Sequence, residues 1–316
     1  MMGEKEMQVL DSITIENTTL CGANCKMCVR DKLKFELSSM SFELFKKAIT
    51  EIDEFYLSEF GSGLKNVEYG GMGDPLLDVG LEDKLKYIKE QLPDAKQYIT
   101  TTGHILDKKL DLVCKYIDTI KISNYGFSKQ SYERIHGGSL IYENVKKNID
   151  ELLSIPCDKR PRCIMSFLLF PENYEEMENW KAYYEPKCEE TYIWKPCNWA
   201  GYIESETVQD HAVARACGRV GKDFTIRANG DVSVCCMDFN RELTVGNVER
   251  ESFSDIYYGE ALKKIKLIHQ EKNFFSVPNI LCAKCDQLYD RQDALIYSSN
   301  EDFTVGTTLL HKTKLE

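Results

Sequence analysis

The chain has 316 residues, 43% of them hydrophobic, enough for one large core or a large core with a small appendage. A net charge of −11 with no Lys/Arg-dense stretch argues against a nucleic-acid partner, because a phosphate backbone selects a basic face. No run of about 18 apolar residues occurs, and Met1 to Val9 is charged rather than apolar like a signal-peptide core, so a soluble, cytoplasmic protein with no membrane partner is expected.

From Ser12 to about Trp194, short apolar runs alternate with longer amphipathic ones, as in repeated strand–helix units with parallel strands. Strands are predicted over Ser12–Glu16, Asn66–Gly70, Lys96–Thr101, Thr119–Asn124, Arg162–Leu169 and Thr191–Trp194, with helices such as Ser41–Phe55 and Tyr142–Leu153 between them. Six units are too few for a closed eightfold barrel, so the fold class is α/β, a partial (β/α)6 TIM-like barrel. In such sheets reactive groups collect past the C-terminal strand ends, where Cys21, the Gly70–Pro75 turn, Thr101–Gly103 and Ser123 all fall. After Gly201 the pattern changes. Phe224–Ile226 and Val232–Val234 flank Arg-Ala-Asn-Gly-Asp, a hairpin turn, and a helix is expected near Ser254–His269. The chain is thus divided into a barrel over 1–205, a small extension over 206–300 and a polar tail over 301–316.

Thirteen cysteines in a reducing compartment point to metal ligation rather than disulfides. Three lie within residues 21–28 and five within 217–285, which predicts two sites. Cys114, Cys157, Cys163, Cys188 and Cys197 lack paired spacing and are read as core residues.

In Cys21-Gly-Ala-Asn-Cys25-Lys-Met-Cys28, three thiols occupy one loop after a strand. A cubane iron–sulfur cluster takes one ligand per iron, so three cysteines leave one iron open. A zinc knuckle is the alternative, and it needs a fourth Cys or His that the following several dozen residues do not supply. On this motif the chain resembles the radical S-adenosylmethionine (SAM) superfamily. The resemblance implies that the open iron chelates the SAM amino and carboxylate groups, and that an electron from the cluster cleaves SAM to methionine and a hydrogen-abstracting 5′-deoxyadenosyl radical. It further implies an electron donor of the flavodoxin or ferredoxin type. Tyr69-Gly70-Gly71-Met72-Gly73-Asp74-Pro75 resembles the family's glycine-rich SAM turn, with Asp74 where the family commonly has Glu. Thr101-Thr102-Gly103 resembles its Thr-Asn-Gly turn, and Ser123 a strand-end serine that meets the ribose. Arg134 is a candidate partner for the SAM carboxylate, with surface solvation as the alternative.

Cys217, Cys235 eighteen positions later, Cys282 and Cys285 offer four thiolates, a complete ligand set. They resemble the twitch extension of the SPASM group, in which a hairpin and a helix carry one auxiliary [4Fe–4S] cluster; zinc remains open as the occupant. Two [4Fe–4S] clusters and SAM are the expected cofactors. Adjacent strand residues point to opposite faces, so Cys235 is assigned to the cluster by its Gly-x4-Cys spacing, and Cys236 is read as buried filler or as a hydrogen donor near substrate.

A second, fully ligated cluster suits the removal of one electron from a ketyl radical. The expectation is oxidation of an alcohol carbon on a sugar or aminocyclitol-type small molecule. Epimerisation, dehydration or peptide modification on the same scaffold is the alternative, and a non-catalytic iron–sulfur or zinc protein is the reading from a different class. Asn198 and Trp199 are candidate substrate contacts, and Arg162 a candidate base or anchor.

Overall fold

The computed structural model describes residues 10–138, 140–203, 215–277, 280–288 and 295–300. The expected boundary at 205/206 and the tail at 301–316 lie outside the described residues. Six parallel strands keep the predicted order, with ends shifted by at most one residue: β1 (Ser12–Ile15), β2 (Asn66–Tyr69), β3 (Lys96–Thr101), β4 (Thr119–Ser123), β5 (Arg162–Leu168) and β6 (Glu190–Trp194). Helices α1 (Phe42–Phe60), α2 (Leu81–Gln91), α3 (Leu110–Tyr116), α4 (Lys129–His136), α5 (Tyr142–Ser154) and α6 (Met177–Tyr184) fill the crossovers.

Alternation along each strand sets the two faces. Ile13, Ile15, Val67, Ile99, Ile120 and Ile122 are buried toward the helices, each such burial contributing about 1.5–3 kcal/mol. The intervening Thr14, Glu68, Tyr98 and Lys121 are half-buried and belong to the inner face. The barrel is therefore apolar outside its sheet and polar within.

Three features differ from the sequence expectation. First, α1 runs past Phe55 to Phe60, because Phe55 and Phe60 pack on Tyr257 with ring centroids 5.0 and 6.1 Å away. Gly61, at φ 73°, then ends the helix. Second, the helix expected near 254–269 is two, α7 (Phe253–Tyr258) and α8 (Glu260–Glu271), since Gly259 between them is extended. Third, the C-terminal hairpin, β7 (Thr225–Ile226) and β8 (Asp231–Ser233), continues the barrel sheet: β7 pairs parallel with β1, and β9 (Thr244–Asn247) adds beyond β8. An incomplete barrel leaves the β1 edge unpaired, and the N–H groups of Thr14 and Glu16 find the carbonyls of Phe224 (3.1 Å) and Ile226 (2.8 Å). The other edge strand, β6, is covered by antiparallel β10 (Leu295–Ser298).

Candidate functional site

The chain leaves β1 through Glu16–Thr19, all buried, and enters the loop that carries Cys21, Cys25 and Cys28. Backbone hydrogen bonds from Asn24 N to His136 O (3.0 Å) and from Lys26 N to Ile135 O (2.9 Å) stitch this loop to the end of α4. Gly138 makes that approach possible: at φ 69°, a Cβ there would stand 2.8 Å from Asn24 N. We expect Gly138→Ala to cost about 1–3 kcal/mol and to lower the iron retained after reconstitution, read by iron content beside the thermal midpoint.

All three thiols are half-buried. Burial pushes each pKa up, and the repulsion of neighbouring thiolates adds to it: Cys25 senses Cys28 and Cys21, and Cys28 senses Cys21. Three such groups fit a cation-rich cluster, whose positive charge offsets what burial and mutual repulsion oppose. His136, fully buried at the end of α4, places Nδ1 3.4 Å from Cys25 Sγ, and burial lowers its pKa to about 3.

The glycine-rich turn lies beside this loop. A Cβ on Gly73 would meet Thr18 O at 2.2 Å, and one on Gly71 would meet the Glu16 carboxylate at 2.6 Å, so both glycines serve approach to the cysteine loop. Gly70 is open, with Glu68 Oε1 the nearest atom to a Cβ there at 4.0 Å, which leaves room for a ligand. Met72 is buried; its N–H donates to Glu16 Oε2 (3.0 Å), and its carbonyl accepts from Arg30 Nη1 (2.5 Å). Asp74 is buried, and its carboxylate is engaged within the protein. It accepts from Thr101 Oγ1 (2.8 Å), Thr102 N (2.9 Å), Thr102 Oγ1 (2.7 Å) and Leu76 N (3.2 Å), clamping the glycine turn to the Thr101–Gly103 turn. Burial pushes its pKa up, but these bonds and His104 prevail and hold it below the usual value. Ser123 ends β4 half-buried, and Arg134 lies on α4 within the field of Glu172.

At the second site, Cys217, Cys282 and Cys285 lie close enough to feel one another's charge, and Cys235 joins them through Cys285. Cys282 and Cys285 each sense Cys217, Cys285 also senses Cys282, and Cys235 senses Cys285. Burial pushes Cys282 and Cys285 up to about 12. His269, on α8, accepts Cys217 N at Nδ1 (3.1 Å) and places Nε2 3.4 Å from Cys282 Sγ. Among the described residues, no three His, Cys, Asp or Glu side chains converge as a single ion would need.

Some candidate side chains are placed elsewhere than the sequence reading expected. The strand argument for Cys236 does not apply, because β8 ends at Ser233 and both cysteines follow in a turn. Cys236 is exposed rather than buried filler; Arg219 Nη1 lies 2.6 Å from its Sγ, and Lys121 senses it from β4. Cys157 too is exposed and not a core residue. The side-chain polar atoms of Asn198 and Trp199 are engaged with the protein backbone. The Asn198 amide donates to Lys284 O (2.8 Å) and accepts from Asp286 N (3.2 Å), while the Trp199 indole donates to Met27 O (2.7 Å). They brace the two cysteine segments. Arg162 opens β5, at the end of the sheet opposite the cysteine loop, and pairs with Glu190.

Two features escaped the sequence reading. His136 and His269 carry no motif, only proximity after folding. The buried pair of Glu16 and Arg227 (3.3 Å) spans the sites: Glu16 holds Met72 N, and Arg227 Nη2 donates to the carbonyls of Cys235 (2.9 Å) and Asp238 (2.7 Å).

An inner-faced α/β barrel with an open-handed three-cysteine loop and a separate four-cysteine set is the architecture of an enzyme built around SAM and iron–sulfur clusters. The model of the radical SAM superfamily matches residues 15–183, and that of SPASM, an iron-sulfur cluster-binding domain, matches residues 217–286. The chain belongs to the radical SAM superfamily, with SAM and iron–sulfur clusters as its cofactors. It is similar to a GTP 3′,8-cyclase of Chlorobaculum tepidum, 23% identical over 150 residues that make up 47% of this chain and 43% of that protein. The match thus spans less than half of that curated relative. In fold it is similar to BtrN in complex with AdoMet and 2-DOIA (TM-score 0.60, 17% identity, 92% of this chain and 99% of that chain). It is likewise similar to Streptococcus suis SuiB bound to the precursor peptide SuiA (0.62, 15%, 89% and 70%) and to anSMEcpe with AdoMet and the Kp18Cys peptide (0.60, 11%, 90% and 92%). Among the described residues, no helix is long and apolar enough to cross a membrane.

Proposed function

We propose that this radical SAM enzyme oxidises an alcohol carbon of a small, polar, sugar- or aminocyclitol-type substrate to a ketone. When bound, SAM and the first cluster supply a hydrogen-abstracting carbon radical, and the second cluster a one-electron acceptor. The observation that carries the reading is the grouping of Cys217, Cys235, Cys282 and Cys285, four thiols for four irons, which leaves no position for substrate and suits electron transfer. The electron, proton and hydrogen then balance: the hydrogen atom leaves carbon, the hydroxyl proton goes to a base, and one electron leaves through the second site.

The inner face supplies the remaining groups. The side chains of Glu68 and Lys121 have no hydrogen-bond or ion-pair partner among the described residues, though each senses the other's charge. Burial raises the Glu68 carboxyl and lowers the Lys121 ammonium, and Glu68 Oε1 stands at the mouth of Gly70. In this reading Glu68 takes the hydroxyl proton and Lys121 anchors an oxygen. Glu68→Gln is expected to lower turnover about 10²–10⁴-fold with iron content unchanged, and Lys121→Met to raise KM.

The test is anaerobic reconstitution, reduction and incubation with SAM and a panel of sugars, aminocyclitols and peptides. A ketone two mass units lighter than its substrate, in step with 5′-deoxyadenosine, is the expected result. Activity on peptides alone would overturn the substrate class. A second reading, epimerisation, is favoured by exposed Cys236, which lies in the field of inner-face Lys121. It predicts a product of unchanged mass that takes deuterium from D2O and disappears in Cys236→Ala.

A further inference from the structure

Each cysteine set has one histidine, and the two are wired alike. His136 Nε2 accepts the backbone N–H of Tyr125 (3.1 Å), so that nitrogen carries no proton and the ring's single proton sits on Nδ1, 3.4 Å from Cys25 Sγ. At the second site the roles of the nitrogens are exchanged. His269 Nδ1 accepts the backbone N–H of Cys217 (3.1 Å), so the proton sits on Nε2, 3.4 Å from Cys282 Sγ. In both cases a backbone donor fixes the tautomer, and the tautomer aims an N–H at one ligating sulfur. Neither ring can turn away easily. Tyr125 stacks on His136 (4.8 Å, 13° between planes), Phe274 meets His269 edge-on (4.8 Å), and both imidazoles are buried.

We propose that His136 and His269 are paired positioning residues, each donating one N–H···S hydrogen bond to a cluster ligand, Cys25 and Cys282 respectively, and each raising the reduction potential of its own cluster. The physical reason is the sign of the change on reduction. A cluster gains an electron, its thiolates become richer in charge, and a fixed donor stabilises the reduced form more than the oxidised one. Neutral donors add this without adding net charge to a buried site. Two independently aimed donors let the chain set the two potentials separately, as an electron route that begins at one cluster and ends at the other requires.

The test uses the full chain, reconstituted anaerobically, with each potential followed by EPR-monitored titration. The Cys235→Ala/Cys285→Ala background isolates the first cluster, and Cys21→Ala/Cys28→Ala the second. His136→Phe is expected to shift the first cluster to a more negative potential, and His269→Phe the second, each leaving the other cluster unmoved at unchanged iron content. His136→Asn, whose amide can stand where Nδ1 stood, and His269→Gln, whose amide can reach the Nε2 position, are expected to restore most of the shift. Unchanged potentials in the fully loaded Phe variants would overturn the proposal. Loss of iron in both the Phe and the amide variants would overturn it equally, because the ring would then be a ligand or a structural prop rather than a donor.

Discussion

Replacing Cys21, Cys25 and Cys28 with Ala is expected to remove about half of the bound iron, four of about eight atoms for two cubane clusters, and to abolish 5′-deoxyadenosine formation altogether. Half the iron should stay because the second set draws all four of its thiols from residues 217–285, on the segment before β7, the turn after β8 and the turn that follows α8. Those elements keep their own supports: Asp238 accepts from Ser233 Oγ (2.8 Å), Glu242 N (2.6 Å) and Leu243 N (2.9 Å), none of which involves the first loop. The converse variant, Cys235→Ala/Cys285→Ala, should retain SAM cleavage and lose ketone formation. Iron and sulfide analysis with mass spectrometry of the nucleoside products reads both. Retained SAM cleavage in the triple variant would contradict the role given to the first loop.

Arg227→Met is expected to be the most destabilising substitution outside the cysteines. Glu16 and Arg227 are each 1% exposed, and removing one partner of a buried ion pair leaves an uncompensated charge, worth about 3–5 kcal/mol. The same change frees the carbonyls of Cys235 and Asp238, so loosened auxiliary-cluster binding should accompany the lower denaturation midpoint. Through Glu16 the effect reaches Met72 N and the glycine turn, and SAM affinity should weaken as well. Glu16→Met/Arg227→Met, which removes both charges, should recover much of the stability without recovering SAM affinity. A double variant no more stable than Arg227→Met would mean that the carbonyl contacts, not the buried charge, set the cost.

The sequence by itself determined the elements whose signals are local. Strand ends came within one residue because alternating burial and turn chemistry are written in neighbouring positions. The three-thiol loop and the thiol spacing of the second set were legible because ligand count is a matter of composition and interval. Tertiary structure decided what depends on which segments cross. Which edge the hairpin completes was settled by the unpaired N–H groups of β1, and the length of α1 by aromatic rings of α7. Asn198 and Trp199, read as substrate contacts from their place after β6, turn instead to the backbone at Lys284 and Met27. His136 meets Cys25 from 111 positions away, and Arg227 meets Glu16 from 211. A side chain's chemistry is carried by its own residue, but the partner that fixes its tautomer, its charge or its aim is brought by the fold, and no local pattern encodes that distance.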